Sequence, residues 1–162
     1  MKFSNKGHLE PATKIIVNLE DFKTTFVVNF EENSKTRGYL YVSLLHFLED
    51  FKNEITSSFS VWINGSFVTK TLNPNDIDLV LLIDYQVYIN NEKIIEDKFT
   101  KNKGKHNYEG LDMYRIIIYP ENHPKSFIFQ SDCAYWTEQF SATRKDRNGK
   151  KYNKGFVEIH FN

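Results

Sequence analysis

Asp76-Ile77-Asp78 is the stretch of this chain best suited to carry chemistry. On a strand, residues two apart face the same side, so the two carboxylates point one way, with Cα atoms about 6.6 Å apart. Ile77 points the other way, into a core. Two carboxylates held this close repel unless a cation lies beside them. Mg²⁺, or Mn²⁺ in its place, suits them: it takes oxygen ligands in an octahedral shell and shares them with substrate phosphates. A pair of such ions clamps the attacking and leaving oxygens of an in-line displacement. Eleven residues before Asp76 stands Gly65-Ser66. A glycine lets a phosphate approach the backbone closely. The Ser66 hydroxyl and the local amides can donate to phosphate oxygens, helped by the dipole of any helix that starts there. Lys70 adds a positive charge, and Thr69 beside it completes the nucleotide-binding set Gly65, Ser66, Thr69 and Lys70.

Other candidates carry less. An ordinary hairpin, with Asp76 capping the Asn73-Pro74-Asn75 turn and Asp78 exposed, is the competing reading of the acidic pair. Asp84, farther along the same strand face, reads as a strand terminator. The histidines at 8, 46, 106, 123 and 160 show no metal-ligand spacing, and His46 falls at the edge of a helix stripe. Cys133 has no base beside it and reads as a small buried residue. Gly65-Ser66 lacks the Gly-x-Ser-x-Gly elbow of a hydrolase nucleophile. Arg37 and Arg144 read first as structural or surface residues and second as phosphate contacts. Two basic runs, Lys98 to Lys105 and Arg144 to Lys154, read as solvated loops or as places to hold a nucleotide or an RNA end.

The elements that must position these groups follow from pattern. Ser34 to Ile55 predicts a helix, with Ser34 or Thr36 as N-cap and Leu40, Tyr41, Leu44, Leu45, Leu48 and Phe51 as its buried stripe. Strands are predicted at Phe26 to Phe30, Phe59 to Asn64, Asp76 to Asp84, Tyr114 to Tyr119, Phe127 to Trp136 and Gly155 to Phe161. Pro11 to Leu19 fits a short strand or helix, and Gln86 to Gly110 a helix or loop insertion. Arg144 to Lys154 reads as a hairpin-like loop around Asn148-Gly149. The sum is a mixed α+β domain around one sheet.

A chain of 162 residues suits one domain, 1–162, with an N-terminal extension to residue 33 and a core from 34. Fourteen Phe, nine Tyr and two Trp can fill its core. With 21 basic and 21 acidic residues the net charge is zero, which argues against a general nucleic-acid coat. One cysteine excludes an internal disulfide framework. Met1 to Glu10 has no apolar run, and the apolar stretch Leu79 to Ile83 is too short to span a bilayer. A cytoplasmic protein away from membranes is the simplest expectation.

The run Gly65-Ser66-Phe67-Val68-Thr69, then Pro74, then Asp76-Ile77-Asp78 resembles the polymerase-beta-type nucleotidyltransferase superfamily, and within it small bacterial nucleotidyltransferase-like proteins. The likeness extends to Leu9-Glu10-Pro11, to Ser34-Lys-Thr-Arg37 and to Lys154-Gly-Phe-Val-Glu-Ile159. It departs at the usual second glycine of the spacer, where Thr69-Lys70 stands, and at Asn75, where serine is usual. The resemblance implies a nucleotidyltransferase fold, a mixed β-sheet with helices packed mainly on one face. It implies that Gly65 and Ser66 hold a triphosphate, that Asp76 and Asp78 ligate Mg²⁺ (or Mn²⁺), and that a third carboxylate sits on a neighbouring strand. Asp132 fits that third role best, as a catalytic and metal-binding group, with Glu158 as the competitor. The implied reaction moves an NMP from an NTP to a hydroxyl of a protein, RNA or small molecule. The implied setting is a toxin–antitoxin or defence system, with a cognate toxin or antitoxin, a tRNA or RNA end, or a second copy of the chain as partner. An inactive NTP-sensing module and a non-enzymatic partner protein are the alternatives.

Overall fold

The computed structural model describes residues 1–100 and 108–162; part of the first basic run and His106 lie outside the described residues. Seven strands and four α-helices are seen among the described residues: β1 (Lys2–Phe3), β2 (Leu9–Glu10), β3 (Lys14–Ile16), α1 (Leu19–Phe26), α2 (Arg37–Glu54), β4 (Phe59–Asn64), β5 (Ile77–Asp84), α3 (Tyr85–Ile94), β6 (Leu111–Ile118), α4 (Ser126–Phe140) and β7 (Phe156–Phe161). β1 and β2 form a small antiparallel pair. The other five make one mixed sheet in the order β3-β7-β4-β5-β6. β4 lies antiparallel between β5 and β7, while β5 runs parallel to β6 and β3 parallel to β7. The fold is therefore α+β around a mixed sheet, as expected from sequence.

Alternation along the strands divides the sheet into two faces. Ile63, Val61, Ile77, Leu79, Leu81 and Ile83 join the main core with Phe22, Phe26, Leu40, Leu44, Phe47 and Phe51. That face is covered by α1 and α2, and by α3 with the π-helical turn Ile95–Phe99 that follows it. The opposite face carries Trp62, Val80, Leu82, Ile116 and Phe156, and it is covered by α4 through Phe129, Cys133, Trp136 and Phe140. Three of the four helices thus share one face. The N-terminal 33 residues supply β3 to the sheet edge and Leu9, Phe22 and Phe26 to the core.

Two predicted strands are helical. Phe26 to Phe30 ends α1 and continues into a 3₁₀ turn over Val28–Phe30. Asn18 caps α1 by accepting from the Asp21 amide at 2.7 Å, and Phe22 and Phe26 bury at a four-residue spacing, which outweighs local β-propensity. Phe127 to Trp136 lies within α4. Its inward residues recur at 129, 133, 136 and 140, a helical period, while Phe127 and Tyr135 point to solvent. The predicted stripe of α2 faces the core, joined by Phe47. Thr36 occupies the N-cap position of α2, but the hydroxyl that accepts from the Arg37 amide, at 3.2 Å, belongs to Ser34.

Candidate active site

Parallel register places Asp78 of β5 opposite Asp112 of β6, and antiparallel register places Asn64 of β4 opposite Asp78. Asp112, Asp78 and Asn64 therefore form one row across three strands, on the sheet face that carries Trp62 and Val80. Asp76 precedes β5 by one residue. Burial is the largest influence on the Asp78 carboxyl and pushes its pKa up. The charges of Asp76 and Asp112 push it further the same way, against the pull of Lys154 and Arg144. The Asp78 carboxylate makes no hydrogen bond or ion pair with any described side chain or backbone group.

The end of β4 brings the backbone against this carboxylate. Gly65 has φ +83°, and a Cβ there would collide with Asp78 Oδ2. Only glycine combines that conformation with that approach. Ser66 then opens a single 3₁₀ turn, Ser66–Val68. The Thr69 hydroxyl closes that turn on the Ser66 carbonyl at 2.7 Å and is buried. Lys70 is exposed, with its ammonium 5.6 Å from the Phe3 ring centroid.

Arg37 holds this loop in place. It is 1% exposed, and its guanidinium donates to the carbonyls of Phe26, Phe67, Thr69 and Thr71 at 2.6–3.2 Å. Burial lowers its pKa to about 10. Arg37 is thus the structural residue of the two readings given to it, and it makes no phosphate-facing contact. Asn73 ties the turn before Asp76 to the start of α2, its Oδ1 accepting from the Lys35 amide at 2.7 Å.

Lys154 comes from the basic loop and is 6% exposed. Its ammonium donates to the Gly65 carbonyl at 3.2 Å. Burial dominates its pKa and lowers it to about 8, with Asp78 pulling it up and Arg144 pushing it down. Gly155 fixes the backbone next to it: its amide donates to the Leu9 carbonyl at 2.7 Å, and a Cβ there would strike the Pro11 carbonyl. The loop between α4 and β7 is hairpin-like, as predicted, with Ala142 bridged to Asn153 and the Gly149 amide bonded back to the Asp146 carbonyl. His8, bridged to Thr69, has its pKa lowered by burial first and then by Lys154 and Lys6. Beyond His8 the surface opens into a recess of about 430 Å³ whose lining includes Lys6, His8, Glu10, Tyr152 and Asn153 but not Asp76, Asp78 or Asp112.

Both sequence candidates for a third carboxylate lie elsewhere. Asp132 sits in the middle of α4, half-buried, and is not among the charges that act on Asp78. Its assignment to a strand beside β5 fails because α4 is a helix. Glu158 is buried on β7 and already satisfied, accepting from Trp62 Nε1 at 2.9 Å and pairing with Lys14 at 2.7 Å. Asp112 was missed because it stands at the start of β6, ahead of the predicted strand Tyr114 to Tyr119. The signal was the parallel partner itself, a second acid opening a second apolar run. Asp84 does terminate its strand, and its carboxylate caps α3 by accepting from the Gln86 amide at 2.8 Å.

Residues 1–160 match a family model described as a family of unknown function (DUF6932). The chain belongs to that family. No curated protein and no solved structure matches it.

Among the described residues, no three His, Cys, Asp or Glu side chains converge closely enough to cage a metal ion. A cation that keeps most of its shell as water and ligand oxygens could be held here, by a carboxylate without a partner among the described residues, with two more acids acting on it and a glycine leaving room beside it. No helix among the described residues is long and apolar enough to cross a membrane.

Proposed function

We propose that the chain is a Mg²⁺-dependent nucleotidyltransferase that moves an NMP from an NTP to an acceptor hydroxyl, and that its sheet is a nucleotidyltransferase-type core. The observation that carries this reading is Asp78: a partly buried carboxylate, unpartnered among the described residues, under the added charge of Asp76 and Asp112, against Gly65 and near two cations. Like charges gathered so closely are costly unless a cation joins them. When bound, Mg²⁺ supplies charge neutralisation for the phosphates and lowers the cost of deprotonating a nearby hydroxyl.

The chain's own groups divide the work. Asp76 and Asp78 hold the cation. Gly65 and Ser66 cradle the triphosphate, and Lys154 and Arg144 offset its charge. Asp112 replaces Asp132 as the third acid and takes the proton of the attacking hydroxyl. The hydroxyl oxygen forms a bond to the α-phosphorus, the bond from that phosphorus to the bridging oxygen breaks, and pyrophosphate leaves with the electron pair. Most of the rate gain comes from placement and charge.

Incubation of the protein with each α-³²P-NTP, Mg²⁺ and cell extract tests this. Label on a macromolecule or metabolite with wild type, and none with Asp76→Asn/Asp78→Asn, is expected and identifies the acceptor class. Binding of NTP without pyrophosphate release would replace the enzyme with an NTP sensor.

A further inference from the structure

Asn64 is the one neutral member of the row that holds Asp112 and Asp78. It is the last residue of β4, directly before Gly65, and is 5% exposed. Its Oδ1 is buried without a hydrogen-bond partner, one of two such atoms among the described residues. A buried acceptor left unmet is destabilising, and a leucine of similar size at this position would avoid that cost. Trp62, two residues earlier on the same face, shows the contrast: its polar atom is met by Glu158. The orphan lies instead beside an acid that itself lacks a described protein partner.

We propose that Asn64 is a positioning residue for the cation, its side-chain oxygen accepting a hydrogen bond from a water that a divalent ion at Asp78 brings with it. This rests on the reading of Asp76 and Asp78 as cation ligands and adds an outer partner to it. An incoming donor is what an unmet acceptor requires. Mg²⁺ and Mn²⁺ retain several waters, each with two donor protons. The buried ammonium of Lys154 is directed to the Gly65 carbonyl. Asn64 is thus satisfied in the loaded state at the expense of the empty one.

The test is titration of the full chain with Mn²⁺ alone, followed by electron paramagnetic resonance, beside thermal melts in chelator. Asn64→Leu is expected to weaken Mn²⁺ binding about tenfold, the usual size for loss of an outer partner, while raising the metal-free melting temperature. Asn64→Asp keeps the shape and the acceptor and is expected to bind Mn²⁺ at least as well as wild type. Unchanged Mn²⁺ affinity in Asn64→Leu would overturn the proposal and leave the carboxylate reading standing. Weakened binding in Asn64→Asp would also overturn it, even if Asn64→Leu fails to fold. A wild type that binds no Mn²⁺ would remove the cation site and this role together.

Discussion

Asp112 and Asp78 are direct partners in the parallel register of β5 and β6. Facing side chains on adjacent strands stand about 5 Å apart at Cβ, near enough for both acids to act on one substrate. Asp112→Asn is accordingly expected to lower nucleotidyl transfer at least 100-fold, the usual weight of a general base, while NTP binding stays within a few-fold. Asp132→Asn is expected to leave the rate within twofold. Pyrophosphate release measured on both variants checks the pair, and equal losses in the two would unseat Asp112.

Lys154 gives a pH signature in the nucleotide-free protein. Its folded pKa of about 8 lies below the ordinary lysine value of 10.5. The folded state therefore binds the proton less tightly than the unfolded chain. The cost of burying the charge is fully present below pH 8 and is relieved as pH rises from 8 to 10.5. Lys154→Met is expected to stabilise the free protein at pH 7 by on the order of 2–3 kcal/mol, to flatten stability across that window, and to weaken NTP binding. Urea melts at pH 7, 8.5 and 10, beside nucleotide titrations, check this. A variant less stable than wild type at pH 7 would count against it.

Much of this site was legible in the residue order. Gly65-Ser66 and Asp76-x-Asp78 mark the end of β4 and the start of β5, since a glycine with positive φ and an acid before an apolar run are local signals. Lys154-Gly155 and Leu9-Glu10-Pro11, far apart in the chain, meet through the Gly155 amide. What sequence does not carry is which strands are neighbours. Asp112 joins the row with Asp78 only through pairing of β6 with β5, and the expected strand around Asp132 is a helix with the 129, 133, 136, 140 period. Asn64 reads in sequence only as the last residue of the strand Phe59 to Asn64, and only burial shows that its oxygen lacks a donor.

Arg37 predicts a stability defect with a functional shadow. Its fork meets four carbonyls that no other side chain reaches in the described structure. Lysine has no planar fork and would leave several of them unmet. Arg37→Lys is expected to cost about 3 kcal/mol or more, or roughly 6 °C or more in melting temperature for a chain of this size. Loop 65–71 should loosen first, giving faster amide exchange there than in β5. A melting temperature within a degree of wild type would show that the fork is dispensable.

The two glycines Gly65 and Gly38 should respond in opposite ways to alanine. At Gly65 the added methyl meets both a positive φ and the Asp78 carboxylate, so Gly65→Ala is expected to cost more than about 1 kcal/mol and to abolish transfer. The metal-free protein should suffer most where Asp78 is ionised, because the methyl shields an already buried carboxylate further from water. Gly38 is the second residue of α2, exposed, with nothing within 4 Å of a built Cβ. Gly38→Ala there removes backbone freedom from the unfolded chain without strain and is expected to add about 0.4–1 kcal/mol with unchanged activity. Calorimetry and the transfer assay on both variants separate a glycine required by the site from one that is merely tolerated. A Gly65→Ala protein with wild-type activity would mean that Asp78 does not face the phosphate-binding turn.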